Sequence, residues 1–355
     1  MKQILVILLL VLAAGVAYLC LWPVTIEPVA WTAPENPGLT GRYAPNDALA
    51  AAEWMGENVG VGPEDVAIDW KGRAIVGYAD GRVERFAADG SSHTLVNTGG
   101  RPLGLDAMPD GSLVVADAIK GLLLVSENGE MQTLSTASEG LSFKFTDDVD
   151  VAPDGSIYFS DGSSKYGPAH HALDDVMEHG GHGRLLRYEP QTGMTETLME
   201  GLQFANGIAV GPGEEYVLVN ETGSYRVMRF WLRGPRAGTA EVFVDELPGF
   251  PDGISFDGRD TLWLAIFAPR NELLDKTAGQ PFLRKVMWRM PDVLKPKPAR
   301  HAIVLGLDLE GNVVHNLQDA GPQGFSPITS VEAANGYLYL GSLSRPAFAR
   351  IPIPK

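Results

Sequence analysis

A short motif recurs six times along this chain of 355 residues and limits the possible folds more than any other feature. Each copy has a pair of mostly small or polar residues and then a branched apolar residue, and strand-like runs such as "SLVVADA" and "SIYFSD" follow. The spacings between successive copies are 39, 44, 59, 46 and 77 residues. Units of about 40–50 residues built from four short strands are typical of β-propeller blades. The sequence therefore predicts an all-β fold, a six-bladed β-propeller.

The equivalent position of each copy carries a residue that a propeller would bring to its central axis. These residues are Glu64, Leu103, Asp147, Asn206, Asp252 and Thr329. Three carboxylates and one amide at one axis repel each other unless a cation lies between them. Oxygen ligands favour a hard cation, so the sequence predicts one Ca²⁺ ion, ahead of Mg²⁺, in the central channel. The alternative is that these residues only form turns, which Asp, Asn and Gly favour.

The N-terminal segment is apolar, and residues 4–22 carry no charge. Such a stretch spans about 29 Å as a helix, close to the hydrocarbon thickness of a bilayer. We expect a signal-anchor helix over residues 1–24, a proline-rich extended stalk over residues 25–46 and the propeller over residues 47–355. The propeller then lies outside the cytoplasm or in a lumen, and cleavage of the helix as a signal peptide is the alternative.

The overall charge and the cysteine content exclude several classes of function. A formal net charge of −16 argues against nucleic-acid partners, whose phosphates would be repelled. The single cysteine, Cys20, lies in the apolar segment. The globular part therefore has no disulfide, no thiolate nucleophile and no cysteine-ligated zinc.

The two longest spacings imply insertions near residues 166–183 and 268–300. The first contains four histidines, for which exposed loop positions are favoured over a zinc site: His170, His171, His179 and His182. The second holds eight Lys and Arg residues against three acids and contains a predicted helix, "PFLRKVMWRM". We expect Phe282, Val286 and Met290 to share its apolar face. The helix either packs on the blades with a solvated basic side or forms a lid at the channel mouth that contacts a membrane.

Several stretches resemble the strictosidine synthase-like family, and within it the membrane-anchored adipocyte plasma membrane-associated proteins. The resemblance covers the chain after residue 46 and is carried by "FKFTDDVDV", "SDGSSKYG", "FANGIAV", "LPGFPDGI" and "ITSVEAANGYLYLGSL". The wider superfamily includes gluconolactonases, senescence marker proteins and paraoxonases. The resemblance implies a six-bladed propeller with a divalent cation on its axis.

The resemblance also assigns roles to single residues. Glu64, Asn206 and Asp252 match the metal ligands of the gluconolactonase type, and Asp147 stands where that type often has Asn. Thr329 replaces the catalytic glutamate of strictosidine synthase, and Leu103 replaces the catalytic histidine of paraoxonases. Condensation of an amine with an aldehyde is therefore not expected, and the paraoxonase histidine mechanism is in doubt.

The function expected from these observations is calcium-dependent hydrolysis of a small ester or lactone, of the arylesterase or lactonase kind. The candidate general bases are Asp252 and Asp147, and the substrate pocket is expected to include Leu103, Thr329 and Phe145. The expected partners are that small-molecule substrate and the membrane, through the N-terminal helix. The alternative is a non-catalytic propeller that the metal stabilises and that serves as a binding or scaffold protein.

Overall fold

A computed structural model describes residues 2–295 and 297–354, with the side chains of residues 170 and 171 left out. Helix α1 (Lys2–Leu21) comes first, and strand β1 (Glu53–Met55) follows a long linker. The first blade comprises β2 to β5 (Val66–Ile68, Ala74–Gly77, Arg82–Phe86 and Ser92–Asn97). The second comprises β6 to β9 (Pro102–Ala107, Leu113–Asp117, Gly121–Val125 and Met131–Ser135), and a hairpin of β10 and β11 (Ala137–Ser138 and Leu141–Ser142) follows it. The third comprises β12 to β15 (Thr146–Val151, Ile157–Asp161, Gly183–Glu189 and Met194–Leu202).

The second half of the chain repeats this plan. The fourth blade comprises β16 to β19 (Ala205–Val210, Tyr216–Glu221, Arg226–Trp231 and Ala240–Val244). The fifth comprises β20 to β23 (Gly249–Phe256, Leu262–Pro269, Ala302–Leu307 and Val313–Asp319). The sixth comprises β24 to β26 (Val331–Ala334, Tyr337–Leu340 and Phe348–Pro352) together with β1. The insertions carry α2 (His171–Glu178), α3 (Glu272–Lys276) and α4 (Pro281–Arg289). Short 3-10 turns cover Gly41–Tyr43, Pro168–His170, Pro212–Glu214, Thr222–Ser224 and Gly234–Arg236.

The ring is closed by a strand from the opposite end of the sequence. Strand β1 pairs antiparallel with β26, with Trp54 opposite Ala349. The sixth blade therefore takes its outer strand from the N-terminal part of the chain. This pairing confirms the prediction of a six-bladed all-β propeller and joins the first and last blades without a covalent bond.

The hydrophobic core is divided into six parts, one between each pair of neighbouring blades. For example, Ile75 and Val83 of the first blade pack against Leu105 and Val115 of the second. Equivalent clusters join every other neighbouring pair around the ring. Because a middle strand is covered on both faces, all of its residues are buried, as along Leu113–Asp117. This explains why these strands read as continuous apolar runs rather than as alternating patterns.

The acid that ends several second strands fixes the start of the first strand in the same blade. Asp161 accepts hydrogen bonds from the backbone N–H groups of Lys144 and Phe145 at 3.1 and 2.9 Å. It also pairs with Arg184 at 2.6 Å. Asp117 and Glu221 hold the corresponding backbone in their blades. The small or acidic strand ends of the repeat are therefore structural anchors.

The proline-rich segment is not an extended stalk, and that expectation is wrong. Ile26 is fully buried against the insertions, Trp31 stacks on His179 with ring centroids 3.9 Å apart, and Tyr43 is buried against the fourth and fifth blades. The Arg270 guanidinium also donates to the carbonyl oxygens of Pro34 and Glu35. Single apolar residues spaced along the segment allow it to run along the propeller surface.

Helix α4 begins at the predicted proline, but the expectation that its basic side is solvated is wrong, because Arg284 and Arg289 are buried. Arg284 is buried and donates to the carbonyl oxygens of Val176 and Met177 at 3.2 and 3.0 Å. Phe282 is 56% exposed. The guanidinium is buried because carbonyl groups at the end of one helix need donors, and arginine supplies several in a fixed geometry.

The anchoring role of Asp161 predicts a large loss of stability in D161A. The substitution leaves the buried Arg184 without its charge partner and frees two backbone N–H groups, so the free energy of unfolding should fall by about 3–5 kcal/mol. E196A, which removes an exposed partner of Arg187, should cost less than about 1 kcal/mol. Chemical denaturation monitored by circular dichroism measures both. Equal stability of the two variants would contradict the anchoring role.

Candidate functional site

The repeat position lies in a β-bulge in four of the six blades. In the third blade Thr146 pairs with Asp161 and Val149 pairs with Phe159, so three steps on β12 oppose two on β13. The same irregularity occurs in β6, β16 and β20. A bulge interrupts the regular alternation of side chains and re-aims the extra residue. Asp147, Asn206 and Asp252 are therefore strand residues in bulges, and the alternative interpretation as turn residues is wrong for them.

All six repeat-position side chains are buried at one end of the ring, which we call the mouth end. The exposed fractions are 8% for Glu64, 5% for Asp147, 6% for Asn206 and 7% for Asp252. Leu103 and Thr329 are buried as well. The convergence of these residues at the axis, which the repeat predicted, places three carboxyl groups close enough to influence one another.

The three carboxyl groups are electrostatically unfavourable in their charged form. Burial, followed by repulsion from Asp252 and Asp147, raises the pKa of Glu64 well above its ordinary value. Burial and then the Asp252 charge raise the pKa of Asp147 in the same way. Burial raises the pKa of Asp252 to about 8, and the neighbouring Asn206 amide opposes this shift. A cation between the three would offset both the burial and the repulsion.

The donor set fits a hard cation in its chemistry. Three carboxylates and the Asn206 amide supply oxygen ligands, as Ca²⁺ prefers. Within the described part of the chain, the buried Oδ2 atom of Asp147 has no hydrogen-bond partner. In residues 2–295 and 297–354, however, no group of three or more His, Cys, Asp or Glu side chains stands preassembled around one point. The central calcium site therefore stays a prediction.

Two neighbours of the carboxyl groups were missed by the sequence analysis. Arg101 lies near Glu64 and Asp147, and their charges raise its pKa against the larger lowering effect of burial. The side chain of Asn220, fully buried, donates to the carbonyl oxygen of Asp252 at 2.5 Å. Arg101 stands two residues before the repeat position of the second blade. Its distance in sequence from the acids hid this proximity.

Below the mouth end, a second set of carboxylates joins neighbouring blades. Asp65 accepts a hydrogen bond from the Leu105 N–H at 2.9 Å, and Asp148 accepts one from the Ile208 N–H at 2.7 Å. These groups line a channel cavity of about 130 Å³. Asp106 and Asp150 make the same kind of bond one strand step further, to Val151 and Val210. The three acids of "TDDVD" therefore divide their work: Asp147 faces the candidate site, and Asp148 and Asp150 join the third blade to the fourth.

The remaining predicted pocket residues occupy different surroundings. Thr329 is 1% exposed, and its hydroxyl donates to the carbonyl oxygen of Glu64 at 2.6 Å, which joins the sixth blade to the first. Leu103 is buried in β6. Phe145 is half-buried and packs edge-on against Phe204 with centroids 5.1 Å apart. Their role in a substrate pocket stays a prediction.

The insertions cover the mouth end. Strand β13 runs back to the level of Thr146, and β21 runs back to the level of Gly249, so the loops that follow both strands leave at this end. Helices α2 to α4 and the linker meet there in one apolar cluster that includes Ile26, Met177 and Met287. The insertions thus occupy the position that a lid requires.

The histidines of the first insertion do not form a metal site among the described residues. His179 is buried against Trp31, and burial, with the Arg284 and Arg226 charges, lowers its pKa to about 3. The His182 Nε2 atom lies 2.7 Å from Glu178. The expectation that these two are exposed loop histidines is wrong, because His179 packs on the linker and His182 contacts Glu178 of α2. The His170 and His171 side chains lie outside the described residues.

The fold and the site define a class: a six-bladed propeller whose channel mouth is lined by buried carboxyl groups. The family model described as Strictosidine synthase matches residues 147–235, and the one described as Strictosidine synthase-like, N-terminal, matches residues 41–86. An adipocyte plasma membrane-associated protein of Bos taurus is 36% identical over 354 residues, covering 93% of this chain and 84% of the relative. Strictosidine synthase-like protein 6 of Arabidopsis thaliana is 36% identical over 315 residues, covering 86% and 83%. The chain belongs to the strictosidine synthase-like family.

Solved structures share the propeller at lower identity. A gluconolactonase from Xanthomonas campestris has a TM-score of 0.62 at 19% identity and covers 93% of this chain and 99% of its own. Regucalcin from Agrobacterium tumefaciens, described as a calcium-binding protein, has a TM-score of 0.59 at 16% identity and covers 85% and 94%. At these identities the likeness supports the fold alone.

Asp106 and Asp150 lie below the mouth end, in the part of the channel that we call the lower channel. Their raised pKa values predict that the free energy of unfolding falls as the pH rises. Burial and the Asp150 charge raise the pKa of Asp106 to about 8, and burial raises the pKa of Asp150 to about 6. In the unfolded chain both groups ionise near pH 3.9, so between about pH 4 and 8 the folded state binds more protons and unfolding becomes easier with increasing pH. D106N keeps a hydrogen-bond acceptor and removes the charge. Its melting temperature at about pH 8.5 should exceed that of the wild type by about 2 °C or more.

The matched control for this measurement is D89N, in an exposed turn. Asp89 is ionised in the folded and unfolded states throughout about pH 5 to 9. Its substitution should therefore leave the change of melting temperature with pH the same as in the wild type. Differential scanning calorimetry across this range, with EDTA present, measures all three proteins. If the melting temperatures of the wild type and D106N depend on pH in the same way, Asp106 does not contribute to the pH dependence of stability.

Proposed function

We propose that this protein is a membrane-anchored, calcium-dependent hydrolase of small esters or lactones. The observation that carries the proposal is the set of three buried carboxyl groups at the mouth end, whose pKa values are raised by burial and by one another. The gluconolactonase and regucalcin neighbours support a lactonase-like propeller, and regucalcin is described as calcium-binding. Membrane-associated relatives and helix α1 support the anchor, although a cleaved signal sequence would also fit this helix.

Glu64, Asp147, Asn206 and Asp252 would hold the ion. When bound, Ca²⁺ would polarise the carbonyl group of an ester or lactone and favour the negative charge that develops on its oxygen. Water is the nucleophile in this hydrolysis, and the protein itself supplies the group that accepts the proton that the water loses. Asp147 is the better candidate for the general base because its Oδ2 atom has no hydrogen-bond partner among the described residues. Asp252 has the Asn206 amide beside it and is the second candidate.

Arg101 supplies a positive charge beside Glu64 and Asp147. Its Nη1 group donates to the carbonyl oxygen of Gly62 at 2.9 Å, and its backbone N–H donates to Asp117 at 2.9 Å, so the side chain is held at the mouth. A fixed guanidinium there would orient a substrate oxygen and share in stabilising its charge. Thr329 cannot act as the base of an amine–aldehyde condensation, because a hydroxyl group does not accept protons near neutral pH, and this one donates a hydrogen bond to the Glu64 carbonyl oxygen.

Calcium should stabilise the wild-type protein and not D252A. A ligand present at about 100 times its dissociation constant stabilises the folded state by about 2.7 kcal/mol, so the melting temperature should rise on adding calcium and fall with EDTA. D252A should lose this response, and D106N, altered only in the lower channel, should keep it. Thermal unfolding with and without calcium measures the effect. If the melting temperature of the wild type is the same with and without calcium, the proposed metal dependence is wrong.

Turnover of phenyl acetate and of a simple γ-lactone should require both the metal and Asp147. Loss of a general base typically costs a factor of about 10²–10⁴, so D147N should lose at least this much in kcat, and D106N should not. The assay uses the purified full chain with calcium and with EDTA. If calcium stabilises the protein but no ester or lactone is hydrolysed, the scaffold alternative is the correct one.

A further inference from the structure

The mouth end is tied directly to the C-terminal end of α1. The Arg289 guanidinium donates to the carbonyl oxygens of Trp22 and Leu19 at 2.5 and 2.9 Å. These carbonyl groups lie at the end of the helix, where they lack partners within the helix, and a cation there is also favoured by the helix dipole. Because α4 carries Arg289 and lies at the mouth end, α1 leaves the propeller from the end that bears the candidate site.

The distance between the helix and the propeller is short. Helix α1 ends at Leu21, and Ile26 is already fully buried among the insertions. Residues 22–26 span at most about 17 Å when fully extended. If α1 crosses a bilayer, the mouth end stays within that distance of the end of the helix, and the opposite end of the ring points away from it.

The surface next to this tether combines exposed apolar and basic side chains. We call it the rim surface, and it consists of Phe282, Leu283, Lys285, Val293, Leu294 and Lys297. Val293 is 81% exposed and Leu294 66% exposed, although large apolar side chains are normally exposed singly. The insertion from residue 268 to 301 has eight basic and three acidic residues, a formal net charge of +5 in a chain of −16. Arg270, Arg284 and Arg289 are buried, so the positive charge at the surface comes from the other five basic residues.

A cleft of about 670 Å³ lies between α1 and α4, beside the rim surface. Its lining includes the aromatic residues Tyr18, Trp22 and Trp288, and Lys295 lies 4.6 Å from the Trp288 ring centroid. Tyrosine and tryptophan are enriched where a membrane meets water, because their rings are apolar and their polar groups reach the headgroups. The aromatic residues of the helix end and of α4 therefore lie at one level.

We propose that the rim surface inserts into the interfacial layer of the same bilayer that α1 spans, so that the channel mouth opens at the membrane surface. The partner is a phospholipid bilayer that contains anionic lipids. Apolar side chains enter the acyl boundary, and Lys285 and Lys297 face the lipid phosphates. This arrangement depends on the position of α1 and not on the hydrolase chemistry of the channel.

The test locates the rim surface in a bilayer with the full chain. Cys20 is the sole cysteine, so C20A provides a background for single-cysteine variants labelled with the environment-sensitive fluorophore NBD. The label is placed at L294C on the rim surface and at E310C, an exposed position in the β22–β23 turn at the opposite end of the same blade. The proteins are reconstituted in vesicles of equal parts phosphatidylcholine and phosphatidylglycerol, and nitroxide lipids serve as quenchers.

We expect a blue-shifted emission at position 294 and quenching by shallow nitroxide lipids at least about twofold stronger than at position 310. The triple variant K285E/K297E/R300E should weaken this quenching in the anionic vesicles, while its melting temperature stays that of the wild type. Arg284 and Arg289 are left unchanged because both are buried. Arg284 joins α4 to α2 and α3, and Arg289 joins α4 to the end of α1. Equal, weak quenching at both positions would overturn the proposal. A blue shift that depends on protein concentration, without quenching by lipid, would overturn it in favour of a second copy of the chain.

Discussion

The structure depends on how closely six inner strands can approach one axis. Neighbouring blades meet through side chains that accept hydrogen bonds from backbone N–H groups of the next blade, as Asp65 does from Leu105. Where no such acid is present, glycine allows the approach: a Cβ atom on Gly207 would lie 2.4 Å from the Asp252 carbonyl oxygen. Inter-blade hydrogen bonds need acceptors in the channel, and a carboxyl group supplies oxygen acceptors in both its charged and its protonated form. The channel is therefore acidic for structural reasons before any function is considered.

The acids that join neighbouring blades also position the candidate site. Glu64 immediately precedes Asp65, and Asp147 immediately precedes Asp148, so each inter-blade acid holds the backbone of a potential ligand in place. The bulge in β12 turns the first of the two side chains toward the mouth. The backbone that would carry such a ligand set is therefore fixed by bonds to a neighbouring blade, and it does not depend on an ion for its position.

Features that recur in every blade could be predicted from the sequence, and features that occur once in the structure could not. The blade count and the convergence of Asp147, Asn206 and Asp252 follow from the repeat, because each blade solves the same packing problem with the same pattern. The burial of Arg284 could not be predicted, because its carbonyl partners come from α2 and α3, and cationic residues are usually exposed. The linker was mistaken for a stalk because its prolines form a visible pattern, and its widely spaced buried residues, such as Ile26 and Tyr43, do not.

The strongly negative chain and the basic rim surface do not conflict. The channel carboxyl groups are buried within the ring, and their raised pKa values mean that part of the formal charge is not expressed near neutral pH. The exposed acids elsewhere are screened over a Debye length of about 8 Å at physiological ionic strength. At the membrane surface the local charge of the insertion therefore decides the interaction. The same propeller can attract a cation along its axis and an anionic surface at its rim, because each partner responds to the charges within its own screening distance.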